Sequence, residues 1–323
     1  MKKILLLFGG NSFEHEISCR SARTVIENID TKKYDLSVCG LDKENNFYVF
    51  NDSVCYLSGD EWLSSEIEKI DNPIQYMKEF DKVFPIIHGN SGEDGKLISL
   101  LELYNIPYVG SSSLSSGIAY NKYYTKRILD CFDIPQVEYE ILYKEDKINT
   151  SIEYPVIIKP SECGSSIGIN IANNKKELIK YVKEAFKYSS SVLIEKCIKK
   201  RELECGVIEK KGKVIVSPLG EIIPDNGFYD YISKYEKDTK LSIPADINRD
   251  IAKKIQEYAK MIFKILSLKT YARLDFMYDY NNQKLYFNEV NTIPGFTDIS
   301  MYPKAFECMG ISMKNLITLL IEN

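Results

Sequence analysis

Residues 271–301 read YARLDFMYDYNNQKLYFNEVNTIPGFTDISM. Two runs of strand length, Ala272–Tyr280 and Lys284–Asn291, flank Asn281–Asn282–Gln283, so the segment reads as a β-hairpin. Side chains alternate between the faces of a strand. Arg273 and Asp275 alternate with Leu274 and Phe276, and Glu289 and Asn291 alternate with Val290. With the turn centred on Asn282, Asp275 falls opposite Glu289 and Arg273 opposite Asn291. Two carboxylates, an amide and a guanidinium then share one face. Oxygen ligands of this kind suit a hard cation such as magnesium, which is usually shared with nucleotide phosphates. A register slip of one residue would scatter the group over both faces. Taken alone, such a hairpin is ordinarily a solvated polar surface, so the rest of the chain must decide.

The 323 residues suffice for two or three domains, and 44% apolar with 27% charged residues fits a soluble globular protein. The net charge of −4 offers no electrostatic footprint for nucleic acid. The apolar run Ile4–Phe8 is too short for a membrane span or a signal-peptide core and reads as a buried strand entering the Gly9–Gly10 loop. Eight scattered cysteines and two histidines show no zinc-ligand spacing, and they read as reduced thiols of a cytoplasmic protein.

Strand-length apolar runs alternate with helical patterns through the first hundred residues: Ile4–Phe8, a helix from about Ser12 to Ile29, Leu36–Leu41, Val83–Ile87, then a helix over Gly95–Tyr104. This rhythm predicts a parallel sheet covered by helices. A helix is expected over Ser115–Cys131, strands at Pro155–Lys159 and Val192–Glu195, and a helix over Lys175–Tyr188 between them. Longer strands follow at Glu202–Glu209 and Val214–Glu221, then a helical face over Ile247–Leu268 and a closing helix around Leu316–Ile321. The chain thus reads as α/β, in three units spanning residues 1–105, 106–188 and 189–323.

Several loops could carry chemistry. Gly9–Gly10–Asn11–Ser12–Phe13–Glu14 turns a strand into a helix start, which favours an anion, while Glu14 could hold an ammonium group; Ser12 as a plain N-cap is the competing reading. His88–Gly89–Asn90–Ser91–Gly92–Glu93–Asp94–Gly95 follows a buried strand, where doubly wound sheets bind ligands; a plain turn with a structural histidine is the other reading. Lys159 ends an apolar strand and precedes Cys163–Gly164–Ser165–Ser166, a loop able to line phosphates with N–H and hydroxyl donors. Glu195, Lys196 and Ile198, with Glu202 beyond, close another strand and could read an adenine edge and a ribose, although taken alone a solvated strand end is the stronger reading. The loop Asp225–Lys240 is polar yet carries four aromatics, as water-excluding lids do. Gly295 could offer an N–H to an oxyanion, and Ser300 could hold a carboxylate.

In this order the motifs resemble the ATP-grasp D-alanine–D-alanine ligases of cell-wall synthesis. The resemblance runs over nearly the whole chain: Gly-Gly-x-Ser-x-Glu, His-Gly-x-x-Gly-Glu-Asp-Gly, Asn-Lys at Lys122, Lys-Pro…Gly-Ser-Ser, Phe-Tyr-Asp-Tyr…Lys-Tyr, Arg-x-Asp, Asn-Glu-Val-Asn-Thr-x-Pro-Gly-Phe-Thr and Ser-Met-Tyr-Pro. It implies a three-domain fold with an N-terminal parallel sheet and ATP gripped between the central and C-terminal domains. It implies ATP-dependent joining of two D-alanine molecules through a D-alanyl phosphate, for peptidoglycan precursor synthesis. Lys122 and Lys159 would hold phosphates, with Glu195, Lys196, Ile198 and Glu202 around the adenosine. Asp275, Glu289 and Asn291 would bind two Mg2+ ions, with Mn2+ as a substitute. Glu14 would take the first substrate's ammonium and couple through Ser165 to Tyr235, while Lys234 would reach the γ-phosphate. Arg273 and Gly295 would stabilise the tetrahedral oxyanion; His88, Ser300 and Met301 would contact substrate. The family also implies a homodimer.

Two departures stand out. Asn121 replaces the usual Asp before Lys122, and Thr297–Asp298–Ile299 replaces a more polar or aromatic run near the second substrate. Both bear on the choice of acceptor, with D-alanyl-D-serine synthesis the nearest alternative; Met301, in place of Arg, resembles the D-alanine type. A degenerate nucleotide or amino-acid sensor is the alternative of another class.

Overall fold

The computed structural model describes residues 1–223 and 240–323. The expected lid residues Lys234 and Tyr235 lie outside the described residues. Three sheets organise the rest.

The first sheet places Lys2–Gly9 between Tyr34–Leu41 and Lys82–Pro85, all parallel. It is mixed rather than wholly parallel, because Phe47–Phe50 and Ile67–Lys69 add antiparallel strands at one edge. The cause is local. Asp42 accepts hydrogen bonds from the backbone of Glu44 and Asn46 and from the Asn46 side chain, and Asn45 takes φ +63°. The chain therefore reverses at once, whereas a parallel neighbour needs a crossover of about a dozen residues. Helix His15–Asn28 buries Ile17, Cys19, Ala22 and Val25, and the last three join the core formed by alternate residues of the first strand.

The helix expected over Ser115–Cys131 is two helices, Ser113–Tyr120 and Lys122–Asp130. Asn121 breaks it: its backbone is extended and its side chain caps the second helix by accepting from the Tyr124 N–H. The break lets the Lys122 N–H donate to the Ser161 carbonyl and the Asn121 amide donate to Glu162.

The second sheet runs Tyr139–Tyr143, Ser191–Lys196, Val156–Pro160, Asn170–Ala172, with every pairing antiparallel. The boundary expected at residue 188 falls inside it, since Ser191–Lys196 lies between two of its strands. Helix Lys175–Ala185 seals one face through Leu178, Val182 and Ala185 against Val156, Ile158, Val192 and Ile194. The alternate residues Ile157, Lys159, Leu193 and Glu195 occupy the other face.

The third sheet, wholly antiparallel, centres on Arg201–Lys210, flanked by Gly220–Ile223 and by the hairpin Tyr271–Asp279 and Lys284–Asn291. The strand expected over Val214–Glu221 is two, Lys213–Val216 and Gly220–Ile223. Pro218 has no N–H for a ladder, and at Ser217 the side chain accepts from the Gly206 N–H instead. Helix Arg249–Ile265 packs Ile255, Ala259, Ile262 and Phe263 on Leu203, Cys205, Leu274 and Phe276. The opposite face carries Glu202, Glu204, Arg273, Asp275, Glu289 and Asn291.

Candidate active site

The polar faces of the second and third sheets meet at a cleft. Lys122, Ile157, Lys159, Cys163–Ser166 and Ile169 line one wall; Lys200, Glu202, Leu203, Glu204, Asp275, Phe276, Asn288 and Glu289 line the other.

The hairpin pairs Arg273 with Asn291 and Asp275 with Glu289. The route to that register is not the simple one. Toward the turn, Asp279 pairs with Lys284 and Phe276 with Phe287, so the turn is centred between Asn281 and Asn282. A β-bulge then inserts Asn288 as an extra residue opposite the Asp275–Phe276 step. Without the bulge Glu289 would oppose Leu274, on the core face. With it, Asn288 and Glu289 both line the cleft.

Arg273 grips Asp275 through two hydrogen bonds of 2.8 Å and lies 3.1 Å from Glu204 Oε2. Burial works against this guanidinium's charge, but Asp275 and Glu204 outweigh it and hold its pKa well above the ordinary value. Asn291 donates to Asp275 Oδ2 at 3.2 Å. Glu204 was not singled out from the sequence, although its alternation with Glu202 on one strand was a readable signal.

On the facing wall Lys122 Nζ donates to the Cys163 carbonyl (2.6 Å) and stands 3.4 Å from Glu289 Oε2, spanning the cleft. Lys159 Nζ lies 2.6 Å from Glu195 Oε2 and donates to Asn288 Oδ1 at 3.1 Å. Lys126, also not singled out, lies 2.8 Å from the other Glu195 oxygen. Burial opposes the charge on Glu195, yet the two lysines hold its carboxyl well below the usual range. Its side chain is 1% exposed and occupied by lysines, so it does not form an adenine-facing edge. Lys196 is exposed and shares the helix-covered face with Val156, away from Lys159. Ile198 follows in an irregular, half-buried segment. Glu202 does line the cleft, 3.0 Å from Lys200.

Glu14 reaches the cleft from the first unit. Ser165 Oγ donates to its Oε1 at 2.5 Å. Its carboxylate threads between Gly89 and Gly164: a Cβ at either would lie 2.9 or 2.6 Å from Glu14 Oε2. Ser165 and Ser166 both adopt positive φ, a conformation that side chains accept reluctantly and that marks loops held in one shape.

His88, expected to touch substrate, is 2% exposed and committed at both ring nitrogens. The Ile293 carbonyl 2.8 Å away can only accept, so Nδ1 carries the proton; Nε2 then accepts from Ser21 Oγ at 2.9 Å. Ser21 Oγ in turn accepts from the Phe296 N–H. Burial lowers the imidazole pKa, in keeping with this neutral tautomer. His88 therefore fixes the Gly295 loop rather than contacting substrate. Glu93 sits in the same junction, accepting from the Gly89 N–H, with its pKa pushed up to about 8 by burial and by repulsion from Glu14. Ser300 Oγ accepts from the Thr297 N–H at 3.0 Å and lies 3.1 Å from where a Gly295 Cβ would be. Met301, another expected contact, is buried with its sulfur against Gly220, where any side chain would collide with it. Gly220 pairs with Glu204, so Met301 lies on the same face of the third sheet as that carboxylate.

Comparison with known proteins gives the family. Family models described as D-ala D-ala ligase N-terminus and C-terminus match residues 3–111 and 128–322. The chain belongs to the D-alanine–D-alanine ligase family. A family member from Clostridium acetobutylicum is 42% identical over 99% of this chain and 97% of its own length. The VanG D-Ala:D-Ser ligase of Enterococcus faecalis superposes with a TM-score of 0.89 at 33% identity, covering 99% of this chain and 98% of that one. The Bacillus anthracis ligase complexed with ATP gives 0.79 at 27% identity, covering 100% and 97%. The family's ATP-grasp fold thus spans the chain.

Proposed function

We propose that the chain joins two D-alanine molecules to D-alanyl-D-alanine with ATP, supplying peptidoglycan precursor synthesis. One observation carries the assignment of roles: Asp275 and Glu289 oppose each other beside Arg273, across a cleft from Lys122 and Lys159. A carboxylate oxygen of the first D-alanine attacks the γ-phosphorus and ADP leaves. The amine of the second attacks the acyl carbon, and inorganic phosphate leaves. Lys122 and Lys159 hold the phosphates. Glu14, fixed by Ser165, holds the first ammonium. Arg273 and the Gly295 N–H face the oxyanion, and Ser300 orients the second carboxylate. Lys234 and Tyr235, outside the described residues, would complete the set.

The oxygen set of Asp275, Glu289 and Asn291 fits magnesium. Among the described residues no group of three or more acidic, histidine or cysteine side chains forms a cage; phosphate oxygens and water would supply the remaining ligands of a bound ion. When bound, the two ions neutralise phosphoryl charge. We further assign the chain to the cytoplasm as a homodimer; no helix among the described residues is long and apolar enough to cross a membrane. D-alanine-dependent phosphate release from ATP and magnesium tests the reaction, and none with any acceptor would overturn it. Competition among D-alanine, D-serine and D-lactate, with the dipeptide as the expected main product, tests the acceptor.

A further inference from the structure

Lys126 has no task in the reaction as assigned, yet it is placed at some cost. Its side chain is 1% exposed, 2.8 Å from Glu195 Oε1 and 5.0 Å from the centre of the Tyr139 ring. At 2.8 Å the contact with Glu195 is a buried ion pair. Burying an ammonium is expensive, and an apolar side chain of the same length would fill the space more cheaply. The other oxygen of the same carboxylate holds Lys159 at 2.6 Å. A lone Lys159–Glu195 pair would be electrically neutral, and in a dry interior it would hold Lys159 against its own wall. With Lys126 sharing the carboxylate, the three side chains keep one net positive charge. Lys159 also retains its contact with Asn288 across the cleft.

We infer that Lys126 is a positioning residue for nucleotide binding: it holds Glu195 from behind, so that Lys159 can exchange that carboxylate for a phosphate oxygen. This rests on the reading of Lys159 as a phosphate ligand. The electrostatics agree in direction. Burial lowers the Lys126 pKa, with Glu195 countering it, whereas Lys159 stays above its ordinary value despite burial because Glu195 attracts it.

The test is steady-state kinetics of the full chain with ATP and D-alanine varied separately, alongside calorimetric titration with ATP and magnesium. Lys126→Met is expected to raise the ATP KM about tenfold, with the D-alanine KM changed by less than about twofold; Lys126→Arg stays near the parent. In a Glu195→Gln background the added Lys126→Met is expected to shift the ATP KM by less than about twofold, because its partner's charge is gone. That pair decides the matter even if the single variant fails to fold. An unchanged ATP KM in folded Lys126→Met overturns the inference. So does a loss shared equally by both substrates, or an effect that persists in the Glu195→Gln background. Lys159→Met separates the two readings. If it leaves the ATP KM unchanged, the phosphate assignment falls; if it raises it while Lys126→Met does not, only the role of Lys126 falls.

Discussion

The two walls of the cleft are built alike and charged oppositely. Each is an antiparallel sheet with a helix sealing its back, through Leu178 and Val182 in one and Ile255 and Ile262 in the other. The wall of the second sheet sets Lys126 and Lys159 on the two oxygens of Glu195 and adds Lys122, whose ammonium meets the Cys163 carbonyl. The front of the third gathers Glu202, Glu204, Asp275 and Glu289 around Arg273 and Lys200. One wall is left with surplus positive charge and the other with surplus negative charge. Lys122–Glu289 and Lys159–Asn288 join them. A polyphosphate fits the first wall and a divalent cation the second, so a metal–nucleotide complex is what neutralises the pair. The difference teaches that the sheet supplies rigidity, while the residues on its exposed alternate positions supply the chemistry.

The sharpest way to break this comparison is to remove charge from the acidic wall alone. Glu289→Gln keeps the shape and the strand pairing but removes one of two opposed carboxylates. Turnover is expected to fall by about 10³-fold or more, in line with the loss of a key electrostatic contact, with the thermal transition little changed. Near-normal turnover in a D-alanine-dependent phosphate-release assay would contradict the metal assignment.

Arg273→Met probes the other side of that wall. It leaves Asp275 and Glu204 buried without their guanidinium, and removing one partner of a buried ion pair costs about 3–5 kcal/mol. A urea denaturation midpoint well below the parent is expected, together with loss of activity. A stable variant would mean that water reaches those carboxylates readily.

How much of this was readable in the residues themselves differs between the walls. The acidic wall was visible because a two-residue alternation, Arg273-x-Asp275 and Glu289-x-Asn291, is a local signal. Its register was legible partly by accident: the turn centre lies half a residue from Asn282, and the Asn288 bulge makes up the difference. Nothing in the sequence of the strand announces a bulge. The basic wall was half hidden. Lys126 four residues after Lys122 reads as an ordinary solvated helix position, and only the packing of that helix against Glu195 buries it. The unit boundary drawn at residue 188 cuts through the second sheet for a similar reason, because strand order is set by long-range pairing. His88 and Met301 were legible as special but not as internal, since burial depends on Ile293 and Gly220, distant in the chain.

A smaller effect is expected at the junction that faces neither wall. Glu93 binds its proton more tightly folded, at about 8, than an ordinary glutamate would. A carboxyl raised in this way stabilises the fold fully below its unfolded pKa, and that contribution is lost as pH rises toward 8. Glu93→Gln should therefore flatten the stability profile between about pH 5 and 8 and exceed the parent at pH 8 by on the order of 1 kcal/mol or more. Parallel profiles for the two proteins, by thermal melts across that range, would count against it.

The smallest expected effect lies on the bridge between the walls. Asn288 exists at this place only because of the bulge, and its amide oxygen accepts from Lys159 at 3.1 Å. Asn288→Ala removes that acceptor while leaving Asp275 opposite Glu289. Lys159 then has Glu195 as its remaining partner in this trio and is drawn back toward its own wall. The ATP KM is expected to rise by about threefold, the worth of one modest hydrogen bond, with the D-alanine KM unchanged. Deleting Asn288 tests the same contact by another route: removal of the extra residue leaves Glu289 next after Phe287, still opposite Asp275 in a regular ladder. The deletion should therefore match Asn288→Ala in ATP KM and retain turnover. If instead it abolishes turnover as Glu289→Gln does, the bulge shapes the metal-binding wall itself and not only the bridge to the lysines.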